Sequence, residues 1–143
     1  LSITDGENNV AIGYLALDAL TSGVLNVAIG TSALSAFNGN SSVAVGREAL
    51  RNLNSGDADG TVAVGTGAGA NITSGQANVM IGHQSLDANQ TSDYNTAVGY
   101  QSLSAVNGNG DGGNTAVGFK AGFAIQLWVE LLDLQLLLDK KIR

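Results

Sequence analysis

Seven copies of one short signature, (S/N/T)-(V/T)-A-(V/I)-G, run through this chain, and such self-similarity restricts it to a stack of equivalent coils. The copies read NNVAIG at 8–13, LNVAIG at 25–30, SSVAVG at 41–46, GTVAVG at 60–65, ANVMIG at 77–82, YNTAVG at 94–99 and GNTAVG at 113–118. Their closing glycines are Gly13, Gly30, Gly46, Gly65, Gly82, Gly99 and Gly118, so the steps are 17, 16, 19, 17, 17 and 19 residues. The insertions fall in turn-forming stretches such as TSG at 21–23, NSGDADG at 54–60 and NGNGDGG at 107–113. Loops that vary while strands stay constant are what a solenoid allows, because each coil touches only its neighbours. The expected fold is all-β: a parallel β-solenoid with one coil per 16–19 residues.

Within each signature the residues alternate as a strand does, so Val10 and Ile12 share one face and Ala11 takes the other. Stacking the copies aligns a row of Val10, Val27, Val43, Val62, Val79, Thr96 and Thr115 beside a row of Ile12, Ile29, Val45, Val64, Ile81, Val98 and Val117. These two rows are expected to form the core. The opposite row, Ala11, Ala28, Ala44, Ala63, Met80, Ala97 and Ala116, is then a strip of small side chains expected to meet other copies of the chain, with Met80 at a looser point. The closing glycines are expected to be corner residues, where a tight bend requires positive φ or close backbone approach. Three and four positions beyond each corner a small residue precedes a larger one in most copies, as in Ala16-Leu17 and Ser102-Leu103, and an aliphatic or aromatic often follows three later. That spacing suits either a bent strand or a helical turn.

The signatures resemble the head repeats of YadA-like trimeric autotransporter adhesins over about residues 8–124, and NTAVGYQSL at 95–103 and NTAVGFKAG at 114–122 look like repeats of phage tail-fibre adhesion proteins. The resemblance implies a left-handed parallel β-roll, a homotrimer, and an adhesive segment at a cell surface or on a virion. It also implies an unidentified host-surface protein or glycan as receptor.

Other classes fit less well. The formal charge is −6, carried by residues 1–124 with nine acids against Arg47, Arg51 and Lys120, so no basic cluster exists to hold nucleic acid. The absence of cysteine excludes disulfides and thiolate sites. A hexapeptide acyltransferase helix requires an aliphatic every six residues, but Ile12 is followed at that step by Asp18. GNGDGG at 108–113 occurs once, whereas calcium-binding rolls repeat the Asp-bearing turn. GTGAG at 65–69 lacks the Lys-Ser/Thr of a phosphate loop. His83 has no partner suited to a triad, and Asp57 and Asp59 sit in a loop insertion. No catalytic, cofactor or metal residues are therefore expected. The rival function is an ice- or surface-templating β-solenoid, which would need a flat regular row of Thr or similar residues.

All twenty glycines lie between Gly6 and Gly122, and a different sequence follows. Residues 1–124 form the expected repeat domain and 125–143 a Leu-rich tail, whose longest Leu-rich stretch, Ile125 to Leu138, is too short and too interrupted to span a bilayer. Ala124, Leu127, Leu131, Leu134 and Leu138 trace a heptad seam, the pattern of a short helical coiled-coil neck. The competing reading is a non-native, frameshifted end, since a shifted frame of these codons permits a Gly- and Thr-rich sequence like the repeat.

Overall fold

In the computed structural model, which describes residues 5–56, 59–88, 90–106 and 112–123, each signature forms one three-residue strand. The strands are β1 (Val10–Ile12), β2 (Val27–Ile29), β3 (Val43–Val45), β4 (Val62–Val64), β5 (Val79–Ile81), β6 (Thr96–Val98) and β7 (Thr115–Val117). They pair in parallel and in sequence order, like upon like: Val10 on Val27, Ala11 on Ala28, Ile12 on Ile29, and so on to Val98 on Val117. The fold is a parallel β-solenoid, with no helix among the described residues. The tail, with its coiled-coil and frameshift readings, lies outside the described residues.

The return path of each coil consists of turns, which settles the alternatives left by the spacing after the corner. Ala16 N donates to Gly13 O (3.3 Å) and Leu20 N to Leu17 O (3.2 Å), closing two successive turns, and the pattern recurs at Gly30–Ala33 and Leu34–Phe37. Leu15 has φ +57° at the third residue of its turn, as a type II turn requires. Besides the corner glycine, three positions per coil take positive φ: the residue two before the strand, and the residues two and four past the corner. Leu25, Ser32 and Leu34 fill them in the second coil. Left-handed backbone costs a non-glycine residue of order 1–2 kcal/mol. Here it is offset by hydrogen bonds between coils, such as Ser32 N to Tyr14 O (2.8 Å) and Leu34 N to Ala49 O (3.0 Å).

The strand faces lie the opposite way round from the sequence expectation. Ala28, Ala44, Ala63, Met80 and Ala97 are fully buried inside the coil and Ala116 nearly so, whereas the Val and Ile rows point outward, with Ile12 57 % and Val117 68 % exposed. Volume is the cause. The opposite wall sends Leu17, Leu34, Leu50, Leu86 and Leu103 inward from four residues past each corner, and Leu20, Phe37, Leu53 and Ile72 from three residues further on, all fully buried. A narrow coil filled by those side chains has room for a methyl group from the strand, and interiors pack without voids. The row of small side chains assigned to a subunit interface is therefore the inner lining of the single chain, and Met80 fills interior space.

Candidate functional site

The corner glycines hold the faces in place. Gly13, Gly30, Gly46, Gly65, Gly82, Gly99 and Gly118 all have φ between +128° and +139°, a conformation that L side chains rarely adopt. A Cβ on any of the first six would approach the next corner glycine's backbone to 2.3–2.7 Å, while at Gly118 the nearest neighbour, Ala121 Cβ, is 3.9 Å away. The corners are thus a column of backbone on backbone. A second close approach comes from the intervening turns, where a Cβ on Gly23 would meet Gly39 O at 2.1 Å and one on Gly75 would meet Ser92 O at 2.4 Å.

Ahead of each strand runs a polar ladder that the sequence marked only as the variable S/N/T position. Asn26, Asn78 and Asn95 are fully buried there. Asn78 Nδ2 donates to Ser92 O (2.9 Å), and Asn78 Oδ1 accepts from Asn95 N (2.8 Å) and Asn95 Nδ2 (3.0 Å). Asn95 Oδ1 in turn accepts from Asn114 N (3.1 Å) and Nδ2 (2.9 Å). The amide oxygens of Asn26, Asn78 and Asn95 each accept a backbone N–H of the next coil, from Ser42, Asn95 and Asn114, which gives buried polar groups the partners they require. The ladder is structural.

The residues weighed for chemistry do not converge. Asp59 accepts from Asn40 N (2.7 Å) and Nδ2 (3.3 Å), fixing a turn, and Asp57 lies outside the described residues. GTGAG at 65–69 is the corner Gly65 followed by two further positive-φ glycines, Gly67 and Gly69. Most of GNGDGG falls outside the described residues. Among the described residues no group of His, Asp and Glu is arranged to hold a metal ion, and no helix is long and apolar enough to cross a membrane.

What remains for interaction is the outer surface. The Val and Ile rows form a regular strip along the sheet, more exposed at the two terminal strands than at β2 and β3. The row one position past the corners, from Tyr14 to Phe119, also lies on the outside. At its C-terminal end His83 stacks on Tyr100 (centroids 5.2 Å apart, planes at 8°) and Tyr100 on Phe119 (5.5 Å, 17°). Lys120 Nζ lies 5.5 Å from the Phe119 ring and 5.4 Å from that of Phe123. Beside the stack, Gln101 Nε2 donates to Gln84 Oε1 (3.0 Å). In the sequence His83 stands out only as the single histidine, without a partner suited to a triad. Its partners were visible as aromatics at the same position of successive copies.

Comparison with known proteins finds no family model that matches the chain, no similar curated protein and no similar solved structure.

Proposed function

We propose that the chain is a structural and adhesive segment of a trimeric surface fibre, extracellular and displayed on a cell or virion, and that its role is attachment and not catalysis. The observation that carries this reading is the outward Val and Ile strip. A solvated sheet face ordinarily alternates to polar residues. Here the outward side chains of β1 to β5 are all aliphatic, in register over every strand. Contiguous apolar surface of this kind marks an interaction site, and a flat strip repeated along an axis suits lateral association of identical solenoids. The number three and the left-handed coil come from the likeness to adhesin and tail-fibre repeats. Attachment then follows from multivalency, as equivalent weak contacts on three chains act together.

Sedimentation or light scattering on the purified protein tests the assembly. A trimer is expected, and a folded monomer at micromolar concentration would overturn the reading. The regular spacing of the outward rows, with Thr96 and Thr115 continuing the Val row, also favours a second reading: templating of ice or another ordered surface. A clear thermal-hysteresis signal would establish that alternative.

A further inference from the structure

The His83, Tyr100 and Phe119 stack has a geometry beyond what packing requires. Parallel strands set successive coils about 4.7–4.9 Å apart, while aromatic rings touch face to face at a shorter separation. Rings whose centres lie 5.2 and 5.5 Å apart in nearly parallel planes are therefore spaced more widely than a close face-to-face stack, which leaves ring surface uncovered. Tyr100 remains 45 % exposed between its two neighbours, and Phe119 is 73 % exposed at the end of the row. The next position of the same three coils carries Gln84, Gln101 and Lys120: Gln101 Nε2 donates to Gln84 Oε1 (3.0 Å), and Lys120 Nζ lies 5.5 Å from the centre of the Phe119 ring.

We propose that this stripe binds a β-linked carbohydrate chain lying along the solenoid axis, one sugar ring per coil. The C–H faces of the sugars would pack on His83, Tyr100 and Phe119, and their hydroxyls would bond to Gln84, Gln101 and Lys120. The coil spacing is close to the rise per residue of an extended β-linked glycan, so a single register satisfies all three rungs. A peptide fits less well. The backbone beside the stripe is already used between coils, with Gln101 N donating to His83 O (2.9 Å) and Lys120 N to Tyr100 O (2.8 Å), so strand addition has no free edge there. A specific protein interface also covers roughly 800 Å² on each partner, and this stripe is one side chain wide. The assignment rests on the adhesive reading and names the chemistry of its receptor.

The test is calorimetric titration of the full chain with hexasaccharides of β-1,4-linked glucose and of β-1,4-linked N-acetylglucosamine. At least one is expected to bind, and more tightly than its disaccharide. Tyr100→Ala and Phe119→Ala should each weaken binding roughly five- to ten-fold, the worth of one stacked ring. Tyr14→Ala, in the same row but four coils from His83, should leave it unchanged. Failure of both hexasaccharides to bind, or undiminished binding by a folded Tyr100→Ala protein, overturns the proposal. Light scattering on the same samples separates the two readings: a monomer that binds sugar refutes the trimeric fibre and keeps the stripe, whereas a trimer that binds neither sugar refutes the stripe alone.

Discussion

Gly69 and Met80 exchange volume across neighbouring coils. At four residues past the corner, where five other coils carry leucine, the fourth coil carries Gly69, and the strand of the next coil carries Met80 where the others carry alanine. A Cβ built on Gly69 would lie 2.6 Å from Met80 Sδ, with Leu50 Cδ2 at 3.0 Å and Ile72 Cδ1 at 3.2 Å. One side chain's absence is filled by the other's excess. Met80→Ala should therefore open a cavity and destabilise the protein by about 2–5 kcal/mol. Gly69→Leu alone should also destabilise, through overpacking. Because Gly69 has φ +59°, close to the +48° to +52° of the leucines at this position, the double substitution should recover most of the loss. Chemical denaturation of the four proteins measures the coupling, and additive losses would show that the two sites do not share the space.

The corner column predicts a gradient of tolerance. Gly65→Ala combines a strained φ with a Cβ 2.5 Å from Gly82 O, whereas Gly118→Ala meets the strained φ with only an ordinary contact, Ala121 Cβ at 3.9 Å, beside it. Backbone strain of this sort costs about 1–3 kcal/mol. Gly118→Ala should stay within that range and Gly65→Ala should exceed it. Equal shifts in melting temperature would mean that φ alone makes these positions glycine.

Asn78 tests the ladder. Asn78→Ala removes the donor to Ser92 O and the acceptor for Asn95 N in a fully buried setting. An unsatisfied buried group costs about 1–3 kcal/mol, so the total loss should be at least that. Asn78→Ser should be milder, because Ser42 and Thr61 hold the same rung in their own coils. The check is urea denaturation of the two variants against the parent.

How far the sequence alone led is clear from these residues. The copies of V-A-V/I-G set strand, direction and register, since any slip would bring corner glycines against side chains. The inside and outside of the strand were not legible from alternation, which says that two faces differ and leaves open which one is covered. The deciding quantity is the volume arriving from the opposite wall. Leu17 and Leu34 were visible as recurring large residues, but their inward direction depends on a positive φ that leucine rarely adopts. Asn78 and Asn95 were hidden for another reason: a rung that Ser or Thr can also fill reads as a variable position. The outer stripe was dispersed in sequence, and it takes the parallel register to bring His83, Tyr100 and Phe119 together.

Asp87 gives the described part of the fold a pH dependence of definite sign. Its pKa is raised above the ordinary 3.8 by burial, against the opposing pull of its own backbone hydrogen bond and of the charge on His83. A carboxyl whose folded pKa exceeds its unfolded one binds its proton more tightly when folded. Its contribution is fully present below the unfolded value and is lost as pH rises through the folded value, so it opposes folding at neutral pH. Asp87→Asn should therefore raise stability at pH 7 and reduce the gain seen on acidification towards pH 4. A melting series over that interval that is the same for parent and variant would rule the assignment out.

Alternation makes assembly and folding separable at neighbouring positions of β4. Ala63 is fully buried within its own coil and Val64 is 36 % exposed on the outward strip. Ala63→Arg would force a charge into a lumen already filled by leucines, with no partner to neutralise it, and should prevent folding whatever the oligomeric state. Val64→Arg leaves the interior untouched, with its guanidinium solvated in a single chain, and becomes costly only where another chain covers the strip. If the strip is the subunit interface, Val64→Arg should yield a folded monomer, with the circular dichroism of the parent and about one third of its mass by light scattering. A Val64→Arg protein that keeps the parent's mass and melting temperature would remove the outward strip from the interface, and with it the observation on which the fibre assignment stands.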